Sequence, residues 1–136
     1  SFADEALPGL WDAGLVPIVD LCHFGVPDWV GSFQNPDWPP LFAEYAAAFA
    51  ARYPWVKLYT PVNEMLVCAR FSALYGCWNE QQKSERAMVT AHSVQCRATL
   101  MAIGEILARR PDAVFIQSEI AKYAEVIKRG NITADS

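Results

Sequence analysis

Histidine and positive charge are scarce in this chain. His23 and His92 are the only histidines among 136 residues, and 15 acidic side chains outnumber 11 basic ones, leaving a net charge of −4. That balance argues against a nucleic-acid partner or an anionic membrane surface. No apolar run approaches the roughly 20 residues of a membrane span, so no membrane partner is expected. None of the four cysteines (Cys22, Cys68, Cys77, Cys96) forms a Cys-x-x-Cys pair, and the histidines do not stand at ligand spacing. No metal is therefore expected. In so apolar a chain these cysteines read as reduced, partly buried thiols of a cytoplasmic protein rather than as a disulfide framework. No Gly-x-Gly-x-x-Gly follows any predicted strand, which leaves a dinucleotide without support, and no cofactor is expected. The chain does not open on Met and starts inside a helical pattern, so it reads as a piece of a longer polypeptide.

What is present is core material. Hydrophobic residues make up 53% and charged residues 19%, the composition of one modest folded domain. The pattern alternates between the two periods. Phe2 to Ala13 predicts a helix with Phe2, Ala6, Leu10 and Trp11 on its apolar side, stopped by Gly14. Leu15 to Leu21 predicts a buried strand, and Asp28 to Pro40 a structured loop whose Trp29, Phe33 and Trp38 fold against something. Leu41 to Tyr53 predicts an amphipathic helix ended by Pro54, and Val56 to Val62 a second strand buried on both faces. Leu66 to Lys83 reads as a long, aromatic-rich functional loop. Ser84 to Arg110 predicts the longest helix, capped by Ser84, with Met88, Ala91, Val94, Ala98, Met101 and Ile106 in its buried stripe. Ala113 to Gln117 predicts a third strand, and Ala121 to Lys128 the start of another helix closed by Gly130.

Such alternation implies βαβ units with parallel strands. Each predicted strand ends in polar residues: His23, then Asn63-Glu64, then Ser118-Glu119. In a (β/α)₈ barrel that edge carries the chemistry. A carboxyl beside an amide at such a position suits cleavage of a sugar acetal, because one moves a proton and the other binds a hydroxyl. A full barrel takes about 250 residues, so residues 1–136 are expected to be a fragment of a single (β/α)₈ catalytic domain holding about three β/α units. Taken residue by residue, Glu64 also fits a loop acid, His23 a satisfied core histidine, and Trp78 a cover for a core edge.

Four motifs in order resemble glycoside hydrolase family 1, the β-glucosidase family. Val16-Pro17-Ile18-Val19-Asp20-Leu21-Cys22-His23-Phe24-Gly25-Val26-Pro27 resembles that family's third-strand Pro-x-Val-Thr-Leu-x-His-Trp-Asp-Leu-Pro. Phe42-Ala43-Glu44-Tyr45-Ala46 resembles the Phe-x-x-Tyr-Ala of the following helix, and Val56 to Glu64 resembles Val-Lys-x-Trp-x-Thr-x-Asn-Glu-Pro. Ala91-His92 resembles the Ala-His of the fourth helix. The resemblance implies a partial TIM barrel, roughly strands 3 to 5, from a retaining β-glycosidase acting on a small carbohydrate substrate. It implies that Glu64 is the general acid/base, that Asn63 contacts a sugar 2-hydroxyl, and that His23 contacts a hydroxyl of the non-reducing sugar. Trp78 is the best placed of the loop tryptophans for the leaving-group side. A carboxyl sunk at a strand end is held protonated by burial, as leaving-group protonation requires. Phe24, Gly25, Tyr59 and Met65 depart from the family pattern and mark an outlying branch. The family's nucleophile, a Glu in Thr-x-Glu-Asn-Gly on its seventh strand, has no counterpart here, so the fragment is expected to need the remainder of the barrel or to self-associate. The alternative is a catalytically inactive carbohydrate-binding or scaffolding protein derived from a barrel.

Overall fold

The computed structural model describes residues 1–78 and 80–117. Ser118, Glu119 and the helix expected from Ala121 lie outside the described residues. The order is α1 (Phe2–Asp12), β1 (Ile18–Asp20), α2 (Trp38–Arg52), β2 (Leu58–Thr60), α3 (Met65–Ala69), a π-helical turn (Arg70–Leu74), α4 (Glu85–Arg109) and β3 (Val114–Phe115). The strands form one parallel sheet in the order β1-β2-β3, with Ile18 opposite Leu58 opposite Val114. Helices fill both crossovers. This is the expected β/α architecture, an arc of a (β/α)₈ barrel with β2 at its centre.

Each strand is shorter than its apolar run, and only one face of the sheet is covered. Tyr59 is fully buried, and Val19 and Phe115, its register partners, pack against the same core. Phe49 of α2 meets Tyr59 edge-on at 6.3 Å. On the other face Ile18 and Val114 stand open, together with Val16 and Ile116. For Val56 to Val62 the expectation of burial on both faces is met in part, with Val56, Tyr59 and Val62 buried and Leu58 and Thr60 half-buried, whereas β1 and β3 are open on one face. Alternate residues of a strand point to opposite faces, and α2 and α4, which pack on each other, lie on the Tyr59 side. The open face corresponds to the inside of a barrel, which strands from across the barrel fill.

The helices follow the pattern with shifts. In α1 the packed side chains are Ala3 and Leu7, whereas Phe2, Leu10 and Trp11 are exposed, so its buried face is rotated from the expected one. Gly14, at φ 78, ends it as predicted: Leu15 N–H donates to the Leu10 carbonyl (3.0 Å) and Gly14 N–H to that of Trp11 (2.9 Å). Helix α2 starts at Trp38 rather than Leu41, because Pro39 is tolerated in a first turn that needs no N–H donor. Phe33 of the preceding loop and Trp38 itself are buried, while Trp29 remains exposed. Helix α4 has Ser84 as its cap, the hydroxyl accepting from Ala87 N–H at 3.0 Å. Its buried residues are Ala87, Ala91, Gln95, Ala98, Thr99, Ala102 and Ile106. Small residues replace the expected Met88, Val94 and Met101 there because α2 presents its own alanines, Ala43, Ala46, Ala47 and Ala50. Met88 and Val94 pack at the margin.

The stretch from Leu66 is not a simple loop. It continues as α3 and then widens into the π turn, where Tyr75 N–H donates to the Arg70 carbonyl at 2.8 Å. Cys68, Ala69, Ser72 and Ala73 bury that face against α4. A five-residue helix shows too few turns for its period to stand out in sequence. π turns of this kind often occur beside functional sites.

Candidate active site

Backbone pairing continues past the strands and brings His23 and Glu64 to the same edge of the sheet. Leu21 N–H donates to the Thr60 carbonyl (3.1 Å) and Asn63 N–H to the Cys22 carbonyl (2.9 Å). The residues following that last pair are His23 on the β1 side and Glu64 on the β2 side. Both lie at the carboxyl ends of parallel strands, the edge where barrels carry chemistry. Gln117, after β3, reaches the same edge, its Nε2 donating to the Val62 carbonyl at 2.9 Å.

The turns at this edge adopt left-handed backbone. Glu64 has φ 42, ψ 57, and Phe24, beside His23, has φ 64. Non-glycine residues take that region at a cost of about 1–3 kcal/mol each, and such residues cluster at functional sites. At Glu64 the twist ends β2 and starts α3 in one step, and the Glu64 carbonyl accepts from Cys68 N–H at 2.9 Å.

His23 Nδ1 lies 2.7 Å from Asp20 Oδ2. A carboxylate only accepts, so Nδ1 is the donor of this pair and Nε2 is left free to meet a hydroxyl. The imidazole is 62% exposed, so it is not a core histidine. Its ring meets Phe24 at 4.4 Å, Phe24 meets Trp78 at 5.0 Å, and Trp78 stacks on Phe71 at 4.8 Å. A row of rings thus runs from His23 to Trp78 along the rim. Asn63 and Glu64 are half-buried. The enclosing burial expected around Glu64 is not supplied by this part of the barrel, because the facing strands are absent from it.

The neighbouring thiols are not nucleophile candidates. Burial pushes Cys22 up to about 12 and Cys68 up to about 11, and Cys22 Sγ donates to the Gly25 carbonyl at 3.2 Å. The apolar cavity beside β1, of about 310 Å³ and lined by Leu21, Cys22, Trp29, Val30, Phe42 and Tyr45 among others, touches none of the four predicted site residues. His92 lies on α4 with Nε2 3.8 Å from Cys96 Sγ, a contact within one helix. Among the described residues no group of His, Cys, Asp and Glu side chains could hold a metal ion, and no helix is long and apolar enough to cross a membrane.

The structure therefore brings His23, Asn63 and Glu64 to one edge and connects Trp78 to His23 through Phe24. Glu119 lies outside the described residues. Sequence reading missed Asp20, which was legible as a carboxylate three residues before His23, and Phe24 and Phe71 as members of the ring row. An aromatic contact between separate loops leaves no local signal.

No protein-family model matches the chain, and no curated protein matches it. Solved structures do. A β-glucosidase from Thermotoga maritima in complex with deoxynojirimycin superposes with a TM-score of 0.79 at 22% identity, over 85% of this chain and 27% of that one. The same enzyme bound to an N-octyl calystegine derivative gives 0.79 at 21% identity, over 93% and 32%. A β-glycosidase from Pyrococcus horikoshii gives 0.73 at 22%, over 83% and 26%. The chain spans about a quarter of the length of the solved structures it matches, and its fold is that of one arc of the barrel found in family 1 β-glucosidases.

Proposed function

We propose that this chain is the central section of the catalytic domain of a retaining β-glycosidase, with residues 1–136 all belonging to that one domain. Glu64 protonates the departing glycosidic oxygen and later, as a carboxylate, activates water. Asn63 binds the sugar 2-hydroxyl, His23 accepts a hydroxyl at Nε2 while Asp20 holds its ring, and Trp78 lies on the leaving-group side. The observation that carries this reading is the left-handed backbone of Glu64 at the carboxyl end of the central strand, one residue past the Asn63–Cys22 hydrogen bond. The nucleophile comes from a part of the barrel beyond this section. The likeness in fold to β-glucosidases supports the substrate class, a small β-glycoside.

General acid/base assistance is worth about 10²–10⁴-fold. In the full-length protein, Glu64→Gln is expected to slow unactivated disaccharides by about that factor and activated aryl glycosides less, since these need little protonation. Azide, which needs no base, is expected to restore turnover to Glu64→Ala and to yield a glycosyl azide of retained configuration. Wild-type rates for Glu64→Ala on an unactivated disaccharide would remove Glu64 from this role. Sugar binding without any turnover in the unaltered protein would leave the inactive carbohydrate-binding reading.

A further inference from the structure

Two loops meet at the rim of the site, and one carboxylate joins them. The loop after β1 is braced by its own hydrogen bonds: Gln34 N–H donates to Ser32 Oγ (3.1 Å), and Asn35 Nδ2 donates to the Val30 carbonyl (3.0 Å). Its Phe33 ring is buried edge-on against Trp38 at 5.0 Å, which roots the loop in the core. The loop after the π turn carries Trp78. Glu80 reaches from that loop to the first: Oε1 accepts Phe33 N–H at 2.6 Å and Oε2 accepts from Gln34 Nε2 at 2.8 Å. Gln34 Nε2 also donates to the Ala87 carbonyl in the first turn of α4, at 2.9 Å. Gln81 N–H, one residue past Glu80, donates to the Trp78 carbonyl at 2.9 Å.

We propose that Glu80 is the positioning residue for Trp78, clamping its loop to the loop after β1 and so fixing the indole between Phe24 and Phe71. A carboxylate suits the task because it only accepts and has one oxygen for each donor. An amide would turn a donor toward Gln34 Nε2. The consequence for substrate choice rests on the proposed function: with Trp78 on the leaving-group side, Glu80 acts on selection of the leaving group without touching it.

The test uses the full-length protein with Glu80→Ala, Glu80→Gln, Trp78→Ala and the Glu80→Ala/Trp78→Ala double variant. In Glu80→Ala the Phe33 amide is expected to exchange its hydrogen faster and the near-ultraviolet circular dichroism of the Trp78–Phe71 pair to weaken. Glu80→Gln keeps an acceptor for Phe33 and is expected to fall between. KM for an aryl β-glucoside is expected to rise about three- to tenfold, the value of one aromatic contact. Its kcat should hold within about twofold, and a methyl β-glucoside should be unaffected. The double variant should lose no more than Trp78→Ala alone, since coupled residues are not additive. Unchanged Phe33 exchange and an unchanged aromatic spectrum overturn the clamp, as do additive losses or an equal fall in kcat for both glucosides. If Glu80→Ala does not fold, the same readings on Glu80→Gln decide. If the unaltered protein turns over no glycoside, the exchange and spectral readings still decide the clamp, and the failure falls on the proposed function.

Discussion

At the scale of the residue, Asp20 and the buried thiols carry the clearest consequences. Asp20 has one side-chain contact of note, Oδ2 to His23 Nδ1 at 2.7 Å, and through it sets which imidazole nitrogen faces outward. Asp20→Ala is expected to raise KM for a disaccharide by about tenfold, near the value of one charge-assisted hydrogen bond, while thermal stability changes little because the pair is largely exposed. A KM unchanged within error would separate Asp20 from sugar binding. Cys22 and Cys68 are raised by burial to about 12 and about 11. An unfolded thiol ionises near about 8.5. Below that pH the thiols are neutral in both states and their contribution to stability is intact. Above it only the unfolded chain releases these protons, so stability falls as pH rises toward the folded values. Urea midpoints measured from pH 7 to 11 are expected to decline, and the decline should be shallower in a Cys22→Ala/Cys68→Ala variant compared with its own value at pH 7. Identical slopes would rule the thiols out as its source. Cys77, exposed at the loop after the π turn, is expected to react with iodoacetamide at pH 8 while Cys22 does not.

At the scale of the element, the connection from the π turn to α4 depends on a few local contacts. Ser84 Oγ caps α4, and Ser84 N–H donates to the Ala73 carbonyl at 3.0 Å, so one residue ties the helix start to the π turn. Ser84→Ala removes only the cap and is expected to cost about 1 kcal/mol. Gly76 has φ +67, and a Cβ there would stand 2.9 Å from Lys83 Cγ and 3.0 Å from the Gln82 carbonyl oxygen. Lysine can move aside, but the backbone oxygen and the left-handed φ remain, so Gly76→Ala is expected to cost more than Ser84→Ala, about 1–3 kcal/mol. Melting temperatures of the two variants order them, and a Gly76→Ala protein as stable as wild type would contradict the geometry. Helices α2 and α4 meet through alanines, so added bulk has no room: Ala98→Leu is expected to cost about 1–3 kcal/mol by overpacking.

At the scale of the whole molecule, the sheet is an arc and not a closed barrel. One face is covered by α2 and α4, the other exposes Ile18, Val114 and Ile116, and among the described residues the outer edges of β1 and β3 have no partner strand. Unpaired parallel edges and an open apolar face invite association. The isolated 136-residue chain is expected to self-associate, aggregate or fold only in part, as judged by size-exclusion chromatography with light scattering. A monomer with a sharp, cooperative melting transition would contradict this.

The amino-acid sequence by itself determined the alternation of helix and strand, the parallel order that alternation requires, and the edge at which His23, Asn63 and Glu64 come together. These follow from local periods and from polar residues that end apolar runs, signals a single chain carries in full. The Ser84 cap and the Gly14 stop were legible for the same reason. Only the tertiary structure decided which strand face is covered, because alternation does not say on which side the crossover helices fall. It alone turned α1 toward Ala3 and Leu7, shifted the stripe of α4 onto small residues that fit the alanines of α2, and made a short helix and π turn of the stretch after Glu64. The Glu80 clamp belongs to the same class. Its donors, Phe33 and Gln34, stand 47 and 46 residues away in the chain, and a hydrogen bond between loops so separated exists only once the core between them has packed.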